Sequence, residues 1–124
     1  MRHREEGIEL MKPKVVLVDD EPDVTELFSL VLQSPSYEIE IFNDPSVAVE
    51  EMMIRPPDVL FLDYCMPGMN GDEVALAVGP KISKALITGN LDIQTQAKFD
   101  RIFLKPVAMT ELRAFILEKI RADI

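Results

Sequence analysis

Five short apolar runs recur along this chain, and each predicts a β-strand. The runs are residues 15–18, 37–42, 59–62, 85–88 and 102–104. The first and third are continuously apolar, which is typical of strands buried on both faces of a sheet. The second alternates apolar and acidic side chains from Tyr37 to Phe42. A strand with this period of two has one solvated face or lies at a sheet edge.

Segments with helical signals lie between these runs. Beginning after Pro22, apolar residues at helical spacing predict an amphipathic helix whose core face is formed by Val24, Leu27, Phe28, Val31 and Leu32. Asp44 as N-cap and Pro45 at the first helical position predict a second helix that ends near Ile54.

Three further helices are expected. One runs from Gly71 to about Val78 and is ended by Gly79-Pro80. For residues 91–99, where the apolar pattern is weak, we expect a short helix. The last helix has an apolar face formed by Leu112, Phe115, Ile116 and Ile120.

This alternation of strand and helix, repeated five times, predicts the α/β class: a doubly wound, five-stranded parallel sheet with helices on both faces. Right-handed crossovers leave few topologies. Placing the alternating second strand at an edge selects the strand order 2-1-3-4-5. We expect one domain, residues 14–124, after a polar leader at residues 1–13.

Composition narrows the classes of function. The chain has 124 residues, 48% of them hydrophobic and 28% charged, which is ordinary for a globular protein. Its net charge of −9 argues against DNA or an anionic membrane as the main partner, so we expect no nucleic-acid and no membrane partner for this chain. The single cysteine, Cys65, excludes an internal disulfide and suits the cytoplasm.

The third strand ends in a carboxylate, Asp63, and a stiff loop follows it. Pro67 and Gly68 fit the central positions of a type II turn, and Gly71 comes before the next helix. Ligands bind at this carboxyl edge in open α/β sheets. A lone aspartate in this place often only caps a loop, so its neighbours decide the interpretation.

Polar residues also end the neighbouring strands: Asp19-Asp20-Glu21 after strand one, Thr88 in strand four and Lys105 after strand five. Crowded carboxylates repel one another unless a cation lies between them, and Mg²⁺ is the best match for oxygen ligands. A carboxylate beside such an ion can act as a nucleophile and form an aspartyl phosphate. The metal, the hydroxyl and the ammonium group would then hold the phosphoryl oxygens.

Each of these residues has a plainer interpretation when taken alone. Acids are favoured at a helix N-terminus, so residues 19–21 could be a solvated helix start. Thr88 could be an ordinary strand residue, and Lys105 could be a surface charge before a turn. It is improbable that all of these polar residues would stand at the ends of four strands of one short chain by chance.

Four segments resemble the receiver domain of two-component response regulators: residues 18–21, 62–71, 87–89 and 104–106. The resemblance implies a flavodoxin-like fold. It also implies that Asp63 accepts a phosphoryl group from a phosphohistidine on a sensor histidine kinase or a histidine phosphotransfer protein. We therefore expect a signalling phosphoacceptor that catalyses only its own phosphotransfer and dephosphorylation, rather than an enzyme.

The resemblance further implies a metal site. Asp19 and Asp20 would bind Mg²⁺, Asp20 the more directly of the two. Asp63 and the backbone carbonyl of Cys65 would be the further protein ligands.

Thr88 and Lys105 would contact the phosphate, and the Lys105–Pro106 peptide bond would be cis. The family usually has an aromatic switch residue three places before the lysine, whereas this chain has Ile102 there. Phe103, one step on, faces the other way. The helices after strands three and four are short, so the usual output surface, formed by the helix after strand four and by strand five, departs from the pattern.

Three other functions stay open at this point. A small phosphatase could use Asp19 as nucleophile, but its Asp-x-Asp pattern would need an aspartate where Glu21 stands. A flavin-binding relative would need a phosphate loop rich in hydroxyls and amides after strand one, where three acids stand. An interaction module that never turns over phosphate also stays open, because the output surface is altered.

Overall fold

A computed structural model describes residues 12–121, and in that part of the chain five parallel strands form one sheet flanked by four helices. The strands are β1 (Lys14–Val18), β2 (Glu38–Phe42), β3 (Val59–Asp63), β4 (Ser83–Thr88) and β5 (Arg101–Leu104). The helices are α1 (Pro22–Leu32), α2 (Pro45–Ile54), α3 (Gly71–Val78) and α4 (Met109–Arg121). The strand order β2-β1-β3-β4-β5 confirms the predicted topology and the flavodoxin-like class.

The burial of each strand follows its sequence pattern. All five residues of β3 are buried, as its continuous apolar run predicted for a central strand. In β2 no residue is fully buried, and Glu38 is exposed, as expected for an edge strand. Asp63 therefore ends the middle strand of the sheet.

Two cores cover the two faces of the sheet. On one face, the Phe61 ring meets Phe28 of α1 edge-on at 5.5 Å between centroids and Phe115 of α4 at 5.6 Å. On the other face, Leu60 and Leu62 lie in one cluster with residues of α2 and α3. Because alternate strand residues serve opposite cores, the strand end that carries Asp63 is held from both sides.

Side chains at two helix starts satisfy the backbone N–H groups there. The Asp44 carboxylate accepts from the N–H of Ser46 at 2.9 Å, as predicted for the N-cap of α2. Hydrogen bonds from the Ser46 side chain and backbone lower the pKa of Asp44. At α3, Asn70 and Glu73 form a reciprocal capping box, which the sequence analysis missed although Asn-x-x-Glu is its signature.

The helix predicted for residues 91–99 is wrong. The whole connection between β4 and β5, residues 89–100, is irregular, and its partly buried residues alternate with exposed ones: Ile93, Thr95, Ala97 and Phe99. This period of two belongs to an extended chain, and the sequence shows it from Ile93 to Asp100. The strand–helix alternation therefore lacks the helix after β4.

The predicted core face of α1 is also partly wrong. Thr25, Phe28 and Leu32 are its buried residues, whereas Leu27 is 53% exposed and Val31 40% exposed. Thr25 turns inward because its hydroxyl donates to the Pro22 carbonyl at 3.1 Å and accepts from Asn43 at 3.0 Å. The Asn43 contact joins Thr25 to the end of β2, so this face of α1 lies against the sheet and part of the apolar surface of the helix stays in solvent.

The core face of α4 is as predicted, with Leu112, Phe115 and Ile116 buried and Ile120 packed at the margin. Of the predicted leader, residues 1–11 lie outside the described residues. None of the helices in residues 12–121 is both long and apolar enough to cross a membrane.

Candidate functional site

Three carboxylates meet at the carboxyl edge of β1 and β3. Asp19, Asp20 and Asp63 each place a carboxylate oxygen so that all three atoms lie within 4.8 Å of one another. Asp19 and Asp63 are each only 3% exposed, and Asp20 is partly buried. Such crowding of like charge is costly without a cation.

The turn after β1 fixes Asp19. Its carboxylate accepts the N–H of Glu21 at 3.0 Å, and its own N–H donates to the Phe42 carbonyl at 3.1 Å. The Asn43 amide donates to the Asp19 carbonyl at 2.8 Å and also reaches the Thr25 hydroxyl. Asn43 and Thr25 were not predicted as site residues. The available signal was that Asn43 directly follows the end of β2 and so lies at the same sheet edge.

Burial raises the pKa of Asp19 from 3.8 to about 6. The N–H of Glu21 and the charge of Lys105 oppose this rise in pKa, whereas the negative charges of Asp63 and Asp20 add to it. The Asp19 carboxyl therefore lacks enough positive charge nearby to ionise at its ordinary pKa.

Lys105 supplies the cation nearest to Asp63. Its Nζ lies 2.7 Å from Oδ1 of Asp63, and the Asp63 side chain is 5% exposed. This short contact is a charge-assisted ion pair between the Lys105 ammonium group and a buried carboxylate oxygen. Burial lowers the pKa of Lys105, but Asp63, with Asp19 and Glu21, outweighs it and leaves that pKa raised.

Thr88 ends the strand next to β3. Asp63 pairs with Ile87 in the sheet register, so Thr88 lies one residue beyond it at the same edge. The Thr88 hydroxyl accepts the N–H of Asn90 at 3.1 Å and contacts the Asn90 carbonyl at 3.3 Å. The Lys105 N–H donates to the Thr88 carbonyl at 2.8 Å, and the Lys105–Pro106 peptide bond is cis.

The loop after β3, residues 64–70, returns against Asp63. Gly68 has a φ of +89°, as the predicted type II turn requires, and Cys65 is exposed in this loop. The Gly71 N–H donates to the Tyr64 carbonyl at 2.9 Å. A Cβ on Gly71 would lie 2.7 Å from the Asp63 carbonyl oxygen, so only glycine fits there without movement.

Ile102, in the predicted switch place, lies away from the acidic cluster and is 47% exposed. Phe103 is buried against Phe61 and Phe115 on the opposite side of the strand, as predicted from its position. The structure therefore brings Asp19, Asp20, Asp63 and Lys105 together, with Thr88 on the adjoining strand.

The donor set fits a hard divalent cation. Three carboxylate oxygens of the kind that Mg²⁺ prefers, one each from Asp19, Asp20 and Asp63, lie within 4.8 Å of one another. The raised pKa of Asp19 shows that this buried site lacks positive charge. Mg²⁺ would supply it.

Comparison with known proteins adds independent evidence. The sequence profile of the response regulator receiver domain matches residues 15–117. The DNA-binding response regulator MtrA of Mycolicibacterium smegmatis is 26% identical over 94% of this chain and 54% of its own length. Response regulator ArlR of Staphylococcus epidermidis is 26% identical over 86% of this chain and 52% of its own length. The chain thus spans about half the length of these relatives.

A solved structure agrees with the fold. The crystal structure of a CheY-like response regulator receiver domain protein from Methanospirillum hungatei has a TM-score of 0.81. It is 22% identical, and the match covers 90% of this chain and 96% of that one. With the profile match and the carboxylate cluster at the expected sheet edge, this chain belongs to the response regulator receiver domain family, whose role in two-component signalling is to accept a phosphoryl group.

Proposed function

We propose that Asp63 is the phosphoacceptor of this chain and that a phosphohistidine on a partner protein is the donor. One observation carries the proposal. The Asp63 carboxylate is buried at the end of the central strand, 2.7 Å from the Lys105 ammonium group, and shares its site with two further carboxylates. We assign the receiver domain to residues 14–124, with residues 1–13 as a leader.

In the proposed transfer, an Asp63 carboxylate oxygen attacks phosphorus and the phosphorus–nitrogen bond of the phosphohistidine breaks. The electron pair of that bond stays on the imidazole nitrogen, and the product on Asp63 is an acyl phosphate. Lys105 neutralises charge on the phosphoryl oxygens, and the Thr88 hydroxyl donates to one of them. Attack of water on this acyl phosphate releases inorganic phosphate and restores Asp63, so the chain acts on itself alone.

Receiver domains generally bind Mg²⁺ at an acidic cluster, and here Asp19, Asp20, Asp63 and the carbonyl of Cys65 would hold it. The ion supplies positive charge that offsets the charge of the phosphoryl oxygens. The close approach of three carboxylate oxygens and the raised pKa of Asp19 support this assignment.

A sensor histidine kinase or a histidine phosphotransfer protein fits as the partner. The exposed apolar residues of α1, including Leu27 and Val31, lie on the helix that starts directly after the acidic turn. Beside it, Val24, Phe28, Met109 and Leu112 line a cavity of about 520 Å³ that reaches Asp19 and Lys105. An apolar surface next to the acceptor gives a donor protein a place to dock. We place this exchange in the cytoplasm.

Intact mass spectrometry tests the proposal. Acetyl phosphate with Mg²⁺ should add the mass of one phosphoryl group to the parent chain, and Asp63→Asn should add none. Asp92→Asn, which removes an exposed carboxylate on the β4–β5 connection, is the control and should be labelled like the parent. Full labelling of Asp63→Asn would refute the assignment, and a label mapped to Asp19 would favour the phosphatase alternative instead.

A further inference from the structure

Asp72 is a buried carboxylate that the phosphoacceptor site does not use. It lies in the first turn of α3 and is 8% exposed. Its two oxygens accept backbone N–H groups from the β4–β5 connection, Oδ2 from Gln96 at 2.8 Å and Oδ1 from Ala97 at 2.9 Å. Charge-assisted bonds of this kind are stronger than neutral ones, so Asp72 clamps the connection to α3.

Asp72 is the second residue of α3, the helix that follows the loop at residues 64–70. Gly71, which precedes Asp72, packs against the backbone of Asp63. Val74 and Ala75, on the next turn of α3, are buried in the core. Asp72 thus projects from a helix that is fixed at the phosphoacceptor loop and in the core.

The β4–β5 connection has more contacts after the residues that Asp72 holds (the far side) than before them (the near side). On the far side, Asp100 exchanges hydrogen bonds with the Lys84 backbone at 2.8 and 2.9 Å, and Ala97 and Phe99 pack against the core. On the near side, residues 89–95 have Ile93 as their one apolar residue packed on the core, and Leu91 is 71% exposed.

The near part is attached to the site through Thr88. The Thr88 hydroxyl holds the backbone of Asn90, and the Asn90 side chain accepts the N–H of Asp92 at 2.8 Å. A Thr88 hydroxyl that turns to a phosphoryl group on Asp63 cannot keep both bonds to Asn90. Residues 89–95 are then the part of the connection that has the fewest contacts to break.

We propose that Asp72 is a positioning residue that limits the phosphorylation-driven rearrangement to residues 89–95 by holding Gln96 and Ala97 in place. This inference rests on the proposed phosphorylation of Asp63. In this proposal, residues 89–95 move in place of the absent helix after β4. Thr88 lies at one end of this segment, and the residues held by Asp72 lie at the other. The signal is confined to the surface next to the acceptor.

The test compares Asp72→Asn with Glu73→Gln. Both remove one negative charge from the same turn of α3, but Glu73 is exposed and its carboxylate accepts the N–H of Asn70. In Asp72→Asn, one acceptor oxygen becomes an NH2 group that cannot accept an N–H, and the other loses its charge. Amide exchange should therefore be about tenfold or more faster at Gln96 or Ala97, whichever loses its acceptor, and close to the parent at both in Glu73→Gln.

The decisive measurement is the map of amide shifts that follows addition of beryllofluoride and Mg²⁺, the probe for the phosphorylated state. In the parent and in Glu73→Gln, large shifts should stop at residue 95. In Asp72→Asn they should extend to Gln96 and Ala97, the residues that Asp72 holds. Parent shifts that already include Gln96 and Ala97, or an unchanged boundary in Asp72→Asn, would overturn the proposal.

Intact mass after acetyl phosphate treatment separates this inference from the proposed function. Asp72→Asn should be labelled at Asp63 as the parent is, since the carboxylate of Asp72 bonds to Gln96 and Ala97 of the β4–β5 connection. If the parent itself is not labelled, the proposed function fails. If the parent and Asp72→Asn are both labelled and their large amide shifts end at the same residue, the proposed role of Asp72 is refuted and the proposed function is not.

Discussion

At the scale of single residues, the acidic cluster weakens the metal-free fold. Asp19 is buried beside two other carboxylates, and its pKa is raised to about 6. Functional sites commonly keep such unfavourable charge because the ligand needs it. Replacing a carboxylate there should therefore stabilise the protein while removing its capacity to bind metal.

Asp19 should make the metal-free protein less stable as the pH rises. Its pKa in the folded state, about 6, exceeds the ordinary value of 3.8, so the folded state binds this proton more tightly than the unfolded chain does. This contribution to stability is complete below the ordinary pKa and is lost as the pH rises through the folded-state value. The loss is on the order of 3 kcal/mol.

Chemical unfolding of the parent and of Asp19→Asn, in the presence of a chelator and across this pH range, measures the effect. The difference between the two free energies of unfolding should grow with pH in favour of Asp19→Asn. Taking the difference removes the contributions of acids away from the cluster, such as Asp44. A difference that does not change with pH would contradict the role of Asp19.

Lys105 should matter for the response more than for the transfer. Its ammonium group pairs with Asp63, but Asp63 remains a nucleophile without it. Lys105→Ala should therefore still gain one phosphoryl mass from acetyl phosphate, yet lose the amide shifts at residues 89–95. Lys81→Ala, an exposed lysine in the loop after α3, is the control. Shifts in Lys105→Ala equal to those of the parent would exclude this role.

At the scale of elements, the packing of α3 against β3 depends on a glycine. Gly71→Ala should destabilise the chain by about 1–3 kcal/mol, because the new Cβ would meet the Asp63 carbonyl and Leu86 at 2.7 Å. Gly89→Ala is the matched control, since its Cβ meets no atom within 4 Å. Thermal unfolding of both variants checks this. Equal melting temperatures would show that the loop relaxes freely around the added methyl group.

Most elements could be predicted because their signals are local. The β-branched run of β1, the apolar run of β3, and Asp44-Pro45 at the start of α2 each specify their element without help from distant residues. The acidic turn, Asp63 and Lys105 could be assigned to one sheet edge because parallel strands end together.

The errors arose where a distant contact decides the outcome. The orientation of α1 depends on the hydrogen bond between Thr25 and Asn43, residues far apart in the sequence. The β4–β5 connection is extended because Asp72 accepts its N–H groups, and a helix would need those groups internally. The period of two was visible in the sequence from Ile93 onward. The strand–helix alternation of the rest of the chain nevertheless favoured a helix there.

At the scale of the whole molecule, phosphorylation should change the conformation of residues 89–95 and leave β5 nearly unchanged. The switch place is occupied by Ile102, which has no ring, is stiff at χ1 and is 47% exposed. Phe103 is fixed among Phe61 and Phe115. Beryllofluoride should therefore shift the amides of residues 89–95 far more than those of residues 101–104.

The variant Ile102→Ala tests this directly. It should keep the beryllofluoride-driven shifts at residues 89–95, because the proposed route from Thr88 does not pass through β5. Thr88→Ala is the positive control and should lose them. If Ile102→Ala also loses them, the isoleucine serves as the switch in spite of its exposure.

The two outer strands also determine how this protein can assemble. β2 carries the exposed Glu38 at one border of the sheet, and like charges disfavour pairing with a second copy of the same strand. β5, at the other border, has only four residues, and Pro106, which has no N–H, follows shortly after it. Neither border offers a long template for strand addition, so the sheet resists edge-to-edge aggregation. Complexes that form on phosphorylation must therefore use the helices and loops that cover its faces.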